Sequence, residues 1–378
     1  MAAGPLLIAS QTHDPQIVAL AALLSWAPQL LLGLYAGVLA DRLDRRLIVV
    51  TVNLVRAGVL VALSTSIVTG AVAVPIVLGA LFALGCAEVF ADNTSSTLLP
   101  MVLERRDLAL GNSRLMTGFI TMNQLGGPPI GAALFAAGAA LPFLTQGVLV
   151  VAGAGLVSRI ILPPHGQAPG QRSHVRADIV EGMRWTWRHA AVRTLVLTIF
   201  TFNITFGAAW SVLVLYATER LGMGPVGFGL LTTMSAVGGL AGTAAYGWIT
   251  QRVSLGNIMR IGLVIETLTH LCLALTTVPA IALGIFFVFG AHAFIWGTTS
   301  ATVRQRSVPT ELQGRVGSVN MLGVCGGLVI GAAIGGALAG RWGVVAPFWF
   351  AFVGSALFVV LIWRQLVHIA LDDEPVTA

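Results

Sequence analysis

Eleven runs of mostly apolar residues, each 19–24 residues long, divide this chain: about 17–40, 47–69, 74–96, 115–138, 143–162, 194–217, 226–249, 259–277, 279–302, 317–340 and 345–363. An α-helix needs about 20 apolar residues to cross the hydrocarbon of a bilayer. A chain of such runs satisfies its backbone in lipid only by coiling each of them into a helix. Charged residues make up 10% of the sequence, against about 25% in a soluble domain. Residues 1–10 are apolar but too few to span, and Gln11-Thr12-His13-Asp14-Pro15 follows as a loop. With no basic n-region and no cleavage site, this start does not read as a signal peptide. It reads as the second half of a first helix whose beginning is absent. The expectation is an all-α membrane protein with 11–12 transmembrane helices, the first incomplete.

The arginines orient the helices. All 21 basic residues are arginine. With Asp41–Arg46 placed inside and the crossings alternating, eighteen arginines fall in inside segments and two, Arg220 and Arg341, outside, while Arg56 stays within a helix. Arginine accumulates on the cytoplasmic side, so the C-terminal tail is expected inside a bacterial inner membrane. The net charge of +6 is spread over loops instead of one face, which argues against nucleic acid as a partner. Cys86, Cys272 and Cys325 all lie in apolar runs and read as packing residues, not as metal ligands or disulfides. A phosphate-binding loop of the G-x-x-x-x-G-K-[ST] type requires a lysine, which the chain lacks. No intramembrane nucleophile and base stand together. Neither an enzyme, a cofactor nor a metal is expected.

Residues 163–192 are the longest polar stretch. They open with Pro163-Pro164-His165-Gly166, Pro169 and Gly170, the composition of a linker. Asp178–His189 then reads as a short amphipathic helix with Ile179, Met183 and Trp187 on one face, expected at the cytoplasmic membrane surface. The expected domains are an N-terminal bundle (1–162), this linker (163–192), a C-terminal bundle (193–366) and a cytoplasmic tail (367–378). The halves echo each other. Gly247–Arg252 falls where Gly37–Arg42 falls, and Gly127 and Gly131 match Gly331 and Gly335 at a separation of 204 residues.

Four features carry chemistry. Gly37-Val-Leu-Ala-Asp-Arg-Leu-Asp-Arg-Arg46 joins two crossings through a tight basic turn; read by itself, it is a loop obeying the positive-inside bias. Leu125-Gly-Gly-Pro-Pro-Ile-Gly-Ala132 puts two prolines and three glycines inside a crossing, which a membrane bundle tolerates as a kink with close packing. Gly323, Gly327, Gly331 and Gly335 recur every four residues, the spacing of a tight helix–helix seam. Charges inside apolar runs are costly and usually functional: Arg56, Glu88 and Asp92, Glu266 and His270, and His292. Glu88 is suited either to an ion pair with Arg56 or to taking up and releasing a proton. Asp92 reads as the structural partner of the basic turn. Glu266 and His270, one helical turn apart, either face a cavity or headgroups or take part in proton coupling.

The pattern G-x-L-A-D-R-x-x-R-R resembles the loop between helices 2 and 3 of the major facilitator superfamily. The resemblance implies that Gly37, Asp41, Arg42, Arg45 and Arg46 form a conformational latch. Gly127, Pro128 and Gly131 resemble the antiporter signature of the superfamily's drug exporters, although Asn123 stands where an earlier glycine is usual. Leu99–Asn112, Met223–Leu231 and Ser307–Asn320 resemble the branch containing the enterobactin exporter and the macrolide efflux permeases. The implied fold is two bundles of six helices. The implied function is proton-coupled efflux of a small amphipathic compound (drug, macrolide or siderophore) by alternating access. The implied partners are that substrate, protons and the lipid bilayer, with the protein a monomer. An importer of the same fold, or a truncated member without transport, is the alternative.

Overall fold

The computed structural model describes residues 3–42, 44–95, 98–103, 107–160, 175–363 and 365, and among these are helices and no strand. In chain order they are α1 (Ala3–Gln11), α2 (Pro15–Arg42), α3 (Arg45–Val68), α4 (Val74–Ser95), α5 (Leu99–Val102), α6 (Leu108–Phe119), a π-helical segment (Ile120–Gly126), α7 (Gly127–Ala137) and α8 (Leu141–Ser158). There follow α9 (Val175–Arg188), α10 (Ala190–Trp210), α11 (Leu213–Leu215), a second π-helical segment (Tyr216–Arg220), α12 (Pro225–Thr250), α13 (Leu255–Leu275), α14 (Pro279–Ser307), a 3-10 turn (Thr310–Leu312), α15 (Gln313–Trp342) and α16 (Ala346–Ile362). Among the described residues nine helices are long and apolar enough to cross a membrane. The two remaining apolar runs are the short α16 and the crossing that the first π-helical segment interrupts.

Local chemistry sets the helix ends. Asp44 caps α3 by accepting the Leu47 N–H at 3.1 Å. Proline opens α8, α14 and α16, where its missing N–H costs nothing. Hydroxyls inside the apolar helices donate to carbonyls one turn back: Ser64 to Leu60 at 2.7 Å, Thr198 to Thr194 at 2.7 Å, and Thr267 to Leu263 at 2.8 Å. Each therefore needs no partner from outside its own helix.

The chain forms two compact units, Met1–Ser173 with Gly224–Gly229, and His174–Met223 with Leu230–Ala378. In the first, α3 packs on α8 and α4, α2 packs on α4, and the short α1 lies against α2, α4 and α7. Leu6, Leu7 and Ile8 bury α1's contact face.

In the second, α10 packs on α15 and α16, and α13 packs on α14 and α16. Leu195, Ile199, Phe202, Met259, Leu263 and Val359 share one core. The α10–α15 contact is backbone to backbone. A methyl group added at Gly327 would come within 2.6 Å of the Phe200 carbonyl oxygen, and one at Gly331 or Gly335 would meet the carbonyls of Ile204 or Ala208. A second seam of this kind joins α12 to α14. There Gly238 and Gly242 face the carbonyls of Phe287 and Ala291, and Gly290 faces that of Ser235.

Helix α9 is packed onto this second unit. Gly182 lies against the Arg315 backbone, Glu181 pairs with Arg315 at 2.8 Å, and Trp185 joins the cluster of Val192, Val196, Val308, Val316 and Val319. Met183 and Trp187, on the face the sequence assigns to the membrane surface, remain exposed. Three arginines lie over indole rings at helix ends: Arg252 over Trp248 at 4.3 Å, Arg260 over Trp363 at 5.2 Å, and Arg341 over Trp342 at 5.5 Å. The proline-rich stretch 163–170, Arg105, Arg106, Arg172 and the tail 367–378 lie outside the described residues.

Candidate functional site

Four groups of residues concern function, three in the first unit and one in the second. The first is the turn after α2. The backbone of Gly37, Asp41 and Arg42 continues α2 as helix, and their side chains lie outside the described residues. Arg45 and Arg46 open α3. Arg46 donates to the Ile160 carbonyl at 3.2 Å, just past the end of α8, and Arg45 reaches the sulfur of Met101 at 3.1 Å. A guanidinium on the last carbonyls of a helix satisfies an orphan acceptor and meets the negative end of its dipole. Arg46 thus ties the start of α3 to the end of α8, a contact that spacing alone does not reveal.

The second group is the broken crossing. Pro128 and Pro129 lack the N–H groups that an α-helix would bond to the carbonyls of Gln124 and Leu125. The preceding seven residues widen into a π-helix, the usual form of such a defect. The widened turn swings carbonyls inward. A methyl group at Gly127 would lie 2.8 Å from the Met122 oxygen, and one at Gly126 would lie 3.2 Å from that of Thr121. Glycine at 127 is therefore a condition of the kink. Gly131 differs: a methyl there would meet nothing within 4 Å, so close helix packing is not its reason for being small.

The third group, on α3 and α4 of the same unit, is Arg56, Glu88 and Asp92. Glu88 and Asp92 sit one turn apart on α4, and both are exposed. Arg56 on α3 lies within Coulombic reach of Asp92. Among the described residues it forms no ion pair with either carboxylate, and its polar contact is to Asn53 at 3.4 Å. Nor does Asp92 hydrogen-bond to the arginines of the turn among the described residues.

The fourth group lies in the second unit. Glu266 and His270 are one turn apart on α13, and His292 of α14 faces them, its Nε2 3.7 Å from Glu266 Oε2. The sequence places His292 in the next crossing without indicating that it turns toward Glu266.

Residues 1–327, and again 195–376, match the Major Facilitator Superfamily. The chain belongs to that superfamily. The Multidrug efflux pump Tap of Mycolicibacterium fortuitum is 29% identical over 363 residues, covering 89% of this chain and 83% of the pump. Uncharacterised MFS-type transporters of Mycobacterium tuberculosis and Mycobacterium bovis are 38% identical over 112 residues, 29% of this chain; the match spans 25% of their length.

Among solved structures, the nucleoside transporter NupG superposes with a TM-score of 0.73 over 97% of this chain and 94% of its own, at 11% identity. A bacterial homologue of the human lysosomal transporter Spinster gives 0.68 over 100% and 94%, at 13% identity. A bacterial homologue of the iron transporter ferroportin gives 0.65 over 95% and 92%, at 17% identity. These likenesses establish the all-α major facilitator fold. The protein is a multi-pass membrane transporter and not an enzyme.

Proposed function

We propose that this transporter exports a small amphipathic compound, a drug, macrolide or siderophore, in exchange for protons by alternating access. The observation that carries the reading is the similarity to a multidrug efflux pump along 89% of the chain. The proline-broken crossing with its obligate glycine supports it, since it provides a bend of the kind the antiporter signature implies.

In this reading Asp41, Arg42, Arg45 and Arg46 form the latch, with Gly37 allowing close approach. The Arg46–Ile160 contact is the kind of grip on a neighbouring helix end that a latch requires. Gly127, Pro128 and Gly131 form the bend. Glu88 and Asp92, exposed and one turn apart, with Arg56 within Coulombic reach of Asp92, are candidates for proton exchange in the first unit. The protein works as a monomer with its C-terminus in the cytoplasm.

Everted membrane vesicles test direction and driving force together, with ethidium as the amphipathic probe. Acidifying the vesicle interior drives ethidium into vesicles containing the protein, and Asp41→Asn abolishes this uptake while leaving membrane insertion intact. Ethidium driven out of the vesicles under the same gradient would establish import instead. Full uptake by Asp41→Asn would remove the latch assignment.

A further inference from the structure

Glu266, His270 and His292 make a closed polar cluster in an otherwise apolar part of the second unit. His270 is 0% exposed and His292 5%. None of their four ring nitrogens has a hydrogen-bond partner among the described residues. Trp210 of α10 meets His270 edge-on at 5.9 Å, and Phe289 flanks His292 at 5.7 Å. Gly262 leaves space for the Trp296 ring beside them. The Glu266 side chain is 14% exposed, so it is the member through which the cluster opens. It stands roughly 14–17 Å from either end of α13 at about 1.5 Å per residue.

The helices packed around the cluster bring no counter-charge to it. Helix α16 has no titratable side chain. Arg193 on α10, Arg260 on α13, and Arg304 and Arg306 on α14 all lie toward helix ends. Cys272 is exposed, and Tyr246 of α12 accepts a hydrogen bond from Thr299 at 3.3 Å.

Charge counting limits what such a pair can do. With one proton between them, Glu266 and His292 are neutral overall, either as carboxylate with imidazolium or as carboxylic acid with imidazole. Any other occupancy leaves a net charge, which costs several kcal/mol where it is buried, so the pair gains or loses its proton only through the exposed edge of Glu266. A cluster kept only for structure would have its N–H groups satisfied, since each buried orphan costs about 1–3 kcal/mol. Here the ring nitrogens are unsatisfied and the oxygen–nitrogen gap is wider than a hydrogen bond. The ring nitrogens are thus free to take up a proton or to bond a partner that approaches them.

We propose that Glu266 and His292, screened by His270, form a proton-carrying site wholly inside the second unit. A proton entering at the exposed edge of Glu266 binds Oε2. It crosses to His292 Nε2 as the O–H bond breaks and the N–H bond forms, and it returns by the same path when the cycle resets. His270 stays neutral, because a second imidazolium beside the first would be repelled. The proposal rests on the proton-driven reading above and moves the coupling step away from Glu88.

Infrared difference spectra of the full chain in lipid nanodiscs, recorded against pH, read the C=O stretch of a protonated carboxyl. The expected result is a titrating band that Glu266→Gln removes, His292→Gln shifts and Glu88→Gln keeps. No titrating band, or one that survives Glu266→Gln, overturns the site. His292→Gln decides the matter if Glu266→Gln does not fold: an unmoved band overturns the pairing. In proteoliposomes, Glu266→Gln should lose ethidium transport driven by a pH gradient while keeping gradient-free ethidium counterflow. Retention of the gradient-driven component overturns the site and leaves export standing. If the wild type moves no ethidium while the band titrates and is lost in Glu266→Gln, the site stands and the export reading fails.

Discussion

Gly127 and Gly331 occupy matching positions in the two halves, 204 residues apart, and glycine is required at each for a different reason. At Gly127 the obstacle is the protein's own helix: the π-turn brings the Met122 carbonyl against the α-carbon. At Gly331 the obstacle is a neighbour, the Ile204 carbonyl of α10. The residues that follow account for the divergence. Pro128 and Pro129 break the ladder in the first half, where Ala332 and Ala333 let α15 run unbroken from Gln313 to Trp342. The same small residue thus permits a bend in one unit and a backbone-to-backbone weld in the other.

The comparison breaks most easily at the weld. Gly331→Leu should destabilise the second unit by at least about 3 kcal/mol, since neither backbone can retreat from the added side chain. Thermal unfolding followed by tryptophan fluorescence reads this. The same change at Gly131, open on all sides, should move stability by no more than about 0.5 kcal/mol. Comparable losses at the two positions would erase the distinction.

The bend comes next. Pro128→Ala with Pro129→Ala restores two helical hydrogen bonds, stabilising the fold by up to about 3 kcal/mol while slowing ethidium export. Wild-type export from the straightened helix would mean that the kink serves packing alone. Gly127→Ala, which presses a methyl onto the Met122 oxygen, should cost about 1–3 kcal/mol. If the prolines are the cause, that cost disappears when Gly127→Ala is combined with the double alanine variant. The smallest effect concerns the start of α15. The Glu181–Arg315 pair is half in solvent, so Glu181→Gln should cost at most about 1 kcal/mol, and less in high salt.

The helices were legible because hydrophobic length is a one-dimensional property. Runs of apolar residues separated by arginine mark crossings, and among the described residues each of the eleven runs is largely helical. The faces of those helices were not legible. When every side of a helix is apolar, the period of 3.6 no longer says which side meets a neighbour. The stripe Gly323–Gly335 announces a seam but not that α10 is its partner, and the single pair Gly238 and Gly242 has the same spacing without a stripe to mark it. His292 was visible as a buried charge candidate, but its distance from Glu266 depends on how α13 and α14 are rotated. The prolines foretold a kink. The seven-residue π-turn that accommodates it follows from where the displaced carbonyls go, which spacing does not encode.

The arginine–tryptophan stacks have a further consequence. Trp248 and Trp363 mark one end of the second unit, and Trp342 marks the other. Aromatic rings backed by guanidinium groups settle at the level of the lipid headgroups. Between those two levels runs α15, whose 30 residues rise about 45 Å, longer than a hydrocarbon core of about 30 Å. A helix pinned at one end of its length fits a thinner membrane only by leaning or by thickening the lipid around it. The welded α10–α15 pair would have to lean as one body, so bilayer thickness becomes a mechanical load on this unit, and lipid chain length a variable to which its resting tilt responds.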